Sequence, residues 1–460
     1  MAGWDSLAAL VRIEVKQREE EGCDVTGFDR KVEEAGDDEA RLLQVYQELA
    51  ELPVRAEFPY SEPSDLTDIR AQRPDGPRRL ASEWTDDMWR DKFYGAWLGR
   101  AVGCALGKPL ENLPFMLGMD GRPGWLNVKL WFEGADAWPI GGYVPNESRA
   151  RQTYGMELAP WGAESVRERI RYMETDDDIR YTVLGLEMLE RKGLDWDTWD
   201  VGKLWHEKLT YRQVCTAETQ AYLNFARITS HSKGGRPENV REKLDWVRTY
   251  LNPYREWIGA QIRVDAYAYG AAGHPELAAE LAHRDASLSH VKNGIYGAMF
   301  VAAMIAAAFV ERDANRIVDI GLSEIPANCR LAHDVRKGVE IARSTDDQVE
   351  LVRRLWDTFS HYHYVHTNNN AALVAASLVF ADGDFEKGIA TAVLGGWDTD
   401  CNGATVGSIL GAQIGAAKLP RKWTEPLQDT LYAEIPGYHP IAISECARRS
   451  YEVFKKLQSR

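Results

Sequence analysis

Apolar residues recur at three- and four-residue intervals along most of this chain. Nowhere do they alternate with polar ones long enough to suggest a strand. The runs IRYTVLGLEMLERKG, ELAAELAHRDASLSH, NNNAALVAASLVFA and ISECARRSYEVFKKL each gather their apolar positions on one helical stripe. No GxGxxG turn follows a strand-like run. The pattern predicts a nearly all-α protein.

The stripes are interrupted in two places. Residues 1 to about 50 read as two polar, amphipathic helices broken near EGCDVTGFD, and a Pro- and Asp-rich stretch without periodicity follows to about residue 80. Residues 1–80 are therefore expected to be an N-terminal extension and linker, a solvated helical arm, with partner binding or self-association as the other reading. The main domain is expected over 81–460. Within it, residues 112 to about 165 are rich in Trp, Gly and Pro and read as a loop-rich insertion, of the kind that forms pocket walls or lids.

The segment GIYGAMFVAAMIAAAFV, Gly294 to Val310, carries no charge over seventeen residues. That is the short edge of a membrane span. Its small residues and its charged flanks, Lys292, Glu311 and Arg312, favour a buried central helix of a soluble protein.

Two segments carry glycine at every fourth position: Gly95, Gly99, Gly103 and Gly107, then Gly403, Gly407, Gly411 and Gly415. Each glycine inside a helix costs about 0.5–1 kcal/mol relative to alanine. Residues four apart share a helix face, so each segment predicts a smooth groove that another backbone can approach closely.

Composition narrows the function. Net charge is −15 with no basic block, which argues against a nucleic-acid reader. The six cysteines include no CxxC pair, so neither a zinc knuckle nor a disulfide framework is indicated, and reduced thiols in the cytoplasm are expected. The N-terminus becomes charged too soon for a signal peptide. Sixteen Trp and nineteen Tyr leave flat side chains available for a pocket, with Trp125, Trp131, Trp138 and Tyr143 of the insertion as candidates.

The acids supply the candidate chemistry. Thr175, Asp176, Asp177 and Asp178 stand directly before an apolar-periodic helix, Asp398 and Asp400 stand before the second glycine segment, and Glu111 closes the first. Each cluster alone is what a helix N-cap and its dipole favour. Together they form an oxygen-rich set suited to hard divalent cations, provided the glycine faces let the segments converge.

These residues resemble the ADP-ribosylglycohydrolase family. The likeness is carried by GAWLGRAVGCALGKPLE, ETDDD, the central block from Ile258 to Ala303, and GGWDTDCNGATVGSILGAQIG, in order over about 81–455. The resemblance implies a large all-α orthogonal helical bundle with a central dimetal cleft, holding Mg²⁺ or Mn²⁺, two ions. Thr175, Asp176, Asp177, Asp398 and Asp400 would be the metal ligands. Glu111, Asp177 and Asp400 would be the catalytic residues, and His290, Trp397 and Asn402 would bind substrate. Three positions depart from the family's pattern: Cys104, Cys401 with its soft sulfur, and an extra Trp397.

The implied reaction is hydrolysis at the anomeric carbon of a ribose, on an ADP-ribosyl acceptor, small or protein-linked, or on a smaller ribosylated metabolite. Nucleic acid and membrane are not expected as partners. Other metal chemistry on a ribosyl or phosphoribosyl metabolite, or a non-catalytic ADP-ribose-binding relative, would fit the same motifs.

Overall fold

The two glycine-spaced segments form the axis of the fold. In the computed structural model, which describes residues 3–230 and 235–458, they are the helices Asp86–Gly107 and Thr399–Ile414. The helices run antiparallel and meet along their glycines, Gly95 against Gly411, Gly99 against Gly407 and Gly103 against Gly403. A Cβ at Gly99 would lie 2.9 Å from the carbonyl carbon of Gly407, and one at Gly407 would lie 2.8 Å from that of Gly99. Ordinary contact is several tenths of an ångström longer, so no other residue fits without moving a backbone. Gly107 faces Thr399, whose hydroxyl donates to the Gly107 carbonyl at 2.9 Å. At the other end Lys92 Nζ donates to the Ala412 and Gln413 carbonyls. Gly415 lies outside the helical face: with φ +82° it terminates the second helix, against Asp91.

Other helices wrap this pair. Lys292–Ala308 is buried from Asn293 to its end, and no helix among the described residues is long and apolar enough to cross a membrane. Thr367–Ala381 packs on the second glycine helix, and Ile443–Gln458 on the first. The only strands among the described residues are the antiparallel pair Thr430–Leu431 and Ile441–Ala442. The fold is all-α.

Arg100, fully buried on the first glycine helix, joins that axis to the helix Asp177–Lys192. Its guanidinium pairs with Asp178 at 2.9 Å and Asp265 at 3.0 Å, and its Nε donates to Thr182 Oγ1.

The insertion is more ordered than its composition predicts. It folds into helices Leu113–Met116, Gly124–Gly134 and Arg149–Tyr154 and a short turn Pro160–Gly162. Its glycines and prolines sit mostly at the ends of these short helices, where they mimic loop composition.

The N-terminal segment is not a solvated arm. Its first fifty residues form three helices rather than the two expected, Leu7–Glu20, Phe28–Ala35 and Glu39–Ala50, whose apolar faces share a core with Leu251, Tyr254 and Trp257. Its polarity is misleading because several of its charges are buried in pairs. Arg255 holds Glu14 at 2.7 Å and Glu21 at 3.2 Å, and Gln17 donates to Glu256, which also pairs with Arg330.

Candidate metal centre

Two helix starts and one helix exit meet at the lower end of the glycine pair. Asp176 caps the helix Asp177–Lys192, its carboxylate accepting from the Asp178 amide at 3.0 Å. Asp398 precedes the helix Thr399–Ile414, which carries Asp400 in its first turn. The Gly107–Thr399 contact brings that turn against the exit of the first glycine helix, where a short turn, Lys108–Leu110, leads into Glu111. Helix dipoles favour acids at both starts, and Arg100 fixes the position of Asp178.

Asp176, Asp177, Asp178 and Asp400 consequently each offer a carboxylate oxygen within 4.8 Å of the others. Lys108 Nζ pairs with Asp176 at 2.6 Å. The remaining charge is poorly compensated. Burial, together with the Asp176 charge, pushes Asp177 up to about 6 and Asp400 up to about 7. Burial, then Asp400 and Asp176, pushes Glu111 well above the usual carboxylate range. Burial also opposes the ionisation of Asp176, but the ammonium of Lys108 prevails and holds it at about 2. Asp400 Oδ1 is buried with no hydrogen-bond partner. Clustered carboxylates with an orphaned oxygen fit a hard divalent cation. The thiol of Cys401 donates to Asp178 Oδ2 at 3.1 Å, and burial beside Asp178 keeps it protonated, so its sulfur orients an acid.

The acids open onto a cleft of about 790 Å³. Glu111 lines it, with Oε2 accepting from the indole Nε1–H of Trp161 at 2.6 Å. Thr175, also in the lining, accepts from Arg180 at 2.7 Å.

The cleft thus gathers Glu111, Thr175, Asp176, Asp177 and Asp398, with Asp400 in the carboxylate cluster at its floor. Asn402 lies behind the floor. Its amide donates to Asn370 Oδ1, which also accepts from the Asp398 amide at 3.2 Å, so Asn370 and Asn402 together steady the Asp398 turn. Two residues expected at the substrate are elsewhere. His290 is fully buried with Nδ1 on Ser289 Oγ, because the turn before Lys292–Ala308 points its ring into the core beside Gly294. Trp397, at φ +57°, turns away from the cleft and stacks on Trp356, centroids 5.3 Å apart. Trp125, Trp131, Trp138 and Tyr143 pack elsewhere too; Trp131 and Tyr143 spend their polar hydrogens on the Pro145 and Trp423 carbonyls.

Sequence reasoning missed Lys108, Trp161 and Asn370, and it noted Asp178 in the acidic run without placing it among the ligands. Asp178 stood in the TDDD run, and Lys108 was the one charge in CALGKPL. Nothing local distinguished Trp161 from its neighbouring tryptophans.

Comparison with known proteins places the chain. No curated protein gave a significant match. A solved structure described as an ADP-ribosylglycohydrolase-related protein complex is similar at 20% identity and TM-score 0.47, over 81% of this chain and 99% of that one. The family model described as ADP-ribosylglycohydrolase matches residues 85–457, which takes in both glycine helices, Glu111 and every acid of the carboxylate cluster. The chain belongs to the ADP-ribosylglycohydrolase family.

Proposed function

We infer that this protein is a divalent-metal-dependent hydrolase of an N- or O-glycosidic bond at the anomeric carbon of a ribose. The observation that carries the reading is the set of Asp176, Asp177, Asp178 and Asp400, all buried but the half-buried Asp177, clustered with one orphaned oxygen and opening beside Glu111. Asp176, Asp177, Asp398 and Asp400, with Thr175, are the residues that would hold Mg²⁺ or Mn²⁺, two ions. Bound cations would supply Lewis acidity and a template for the sugar hydroxyls.

The chain's own groups do the rest. Trp161 ties down one oxygen of Glu111; with cations offsetting the neighbouring acids that raise its pKa, the other oxygen would be ionised and free to accept a proton from water as general base. The bond from C1 to its nitrogen or oxygen breaks, the water oxygen bonds to C1, and the departing atom takes up a proton. The positive charge that develops on the ring in such reactions would be stabilised by the surrounding carboxylates. Lys108 holds Asp176 ionised and in place throughout.

The test is release of free sugar from an ADP-ribosylated peptide and from a set of simple ribosides, with Mg²⁺ or Mn²⁺ and with EDTA. Metal-dependent release that disappears in Glu111→Gln supports the reading. Binding without release would make the protein a binding relative, and release undiminished by EDTA would remove the metal.

A further inference from the structure

Among the described residues seven large hydrophobic side chains are well exposed, and three of them, Trp4, Leu113 and Trp161, line the acid-bearing cleft. A fourth, Tyr211, donates its hydroxyl hydrogen to the Gly3 carbonyl at 2.7 Å, close by Trp4 in the chain. Isolated exposed hydrophobics are unremarkable, but a group of them around one cavity marks a ligand surface.

Trp4 is the unexpected member, because it lies outside the family-matched region of residues 85–457. Its segment is firmly held. The Asp5 carboxylate accepts from the Tyr254 hydroxyl at 2.6 Å, and the Trp4 amide donates to Gln220 Oε1 at 3.4 Å. Behind them, the Glu14–Arg255 pair pins the helix Leu7–Glu20 to the main domain, both side chains almost completely buried. Ile13 of that helix also reaches the cleft. Further along the lining, Trp257 stacks on His363 with ring centroids 4.0 Å apart and planes 11° apart, and burial lowers His363 to about 4, which leaves the imidazole uncharged at neutral pH.

The charge around the cleft is one-sided. Asp5 adds to the acids of the floor, and Glu218 also lines the cleft, paired with Arg263 behind it at 2.6 Å. Among the described lining residues the cations are Lys108 and Arg180, and each already faces a carboxylate, Asp176 at 2.6 Å and Glu434 at 3.3 Å. Cations held by the acid cluster would sit at the sugar, so a diphosphate reaching beyond them would meet Asp5 and, as its one cation, Arg180 with its acidic partner, and would lack a free counter-charge. Aromatic faces, by contrast, hold flat rings of any sequence or identity by stacking.

We propose that the N-terminal segment completes a leaving-group subsite, with Trp4 as its aromatic wall, and that this subsite takes a flat, uncharged heteroaromatic ring, so that the favoured substrates are simple ribosides without a diphosphate. The proposal rests on the ribosyl-hydrolase reading for the position of the sugar.

The experiment uses the full-length, Mg²⁺-loaded protein with inosine and ADP-ribose as probes, each followed by calorimetric binding and by sugar release. Trp4→Ala is compared with wild type and with Trp4→Phe; Trp4 is half exposed, and equal melting temperatures check that the variants fold. Inosine is expected to bind more tightly than ADP-ribose. Trp4→Ala should weaken inosine binding, or raise its KM, about tenfold with kcat nearly unchanged, and Trp4→Phe should restore most of it. If inosine binds in this Trp4-dependent way but no sugar is released, the subsite stands and the hydrolase reading fails. If sugar is released but Trp4→Ala leaves inosine KM unaltered, or if ADP-ribose binds the tighter, the subsite proposal is overturned and the hydrolase reading stands. If inosine neither binds nor reacts, the proposal is overturned as well.

Discussion

Gly103 and Gly403 face each other so closely that a Cβ on either would overlap the other's main chain: one on Gly403 would lie 3.0 Å from the Gly103 carbonyl carbon, and one on Gly103 nearer still to that of Gly403. This contact lies one helical turn from the Gly107–Thr399 rung that sets Glu111 beside Asp400. Gly103→Ala should therefore destabilise the fold by about 3 kcal/mol, since overpacked cores lose this much when the obstacle is main chain. Gly142→Ala, where nothing lies within 4 Å of the added carbon, should be nearly neutral. Urea midpoints of the two variants check the contrast.

Trp161 acts on the chemistry through Glu111. Glu111→Gln should lower kcat by about 10²–10⁴, the usual worth of a positioned general base. Trp161→Phe keeps an aromatic ring but loses the Nε1–H donor. A drop in kcat of about tenfold is expected from it, with little change in melting temperature because Trp161 is half exposed. A stability loss matching the activity loss would assign Trp161 a purely structural role.

Lys108 sits opposite Asp176 as the fixed cation of the centre. Lys108→Met leaves a buried carboxylate unpaired, which costs about 3–5 kcal/mol in the metal-free protein. Added Mg²⁺ takes over part of that compensation, so its stabilising shift should be larger in the variant than in wild type. Thermal melts with and without Mg²⁺ measure both effects, and equal metal shifts would separate Lys108 from the cation site.

Glu256 links the N-terminal helices to the main domain. Burial alone would raise its pKa, but Arg330 prevails and lowers it from 4.5 to about 2. A folded value below the unfolded one stabilises the protein fully above about pH 4.5, and the contribution fades as pH falls towards 2. The shift corresponds to about 3 kcal/mol. Glu256→Gln should accordingly be less stable than wild type at pH 6, with the difference in urea midpoint shrinking by pH 3. A difference independent of pH would contradict the pairing.

How far the sequence disclosed this arrangement depended on whether the signal was local. Four-residue glycine spacing implies a smooth helix face whatever the partner, and here each such face meets the other. The TDDD and DTD runs announced helix starts with excess acid, which is where Asp176, Asp177, Asp398 and Asp400 stand. Orientation was not legible. Trp397 and Trp161 are the same residue type beside equally suggestive motifs, yet backbone direction sends one against Trp356 and the other to Glu111. The N-terminal helices looked solvated because Glu14 and Gln17 are polar, and their partners, Arg255 and Glu256, lie more than two hundred residues away.

Whether the acid cluster holds divalent cations is tested most directly by calorimetric titration of the metal-free protein with Mg²⁺ and with Mn²⁺, alongside Asp400→Asn. The account predicts saturable binding to wild type and affinity at least about tenfold lower in the variant, since a buried carboxylate ligand is lost. No binding, or binding unchanged by Asp400→Asn, would contradict it.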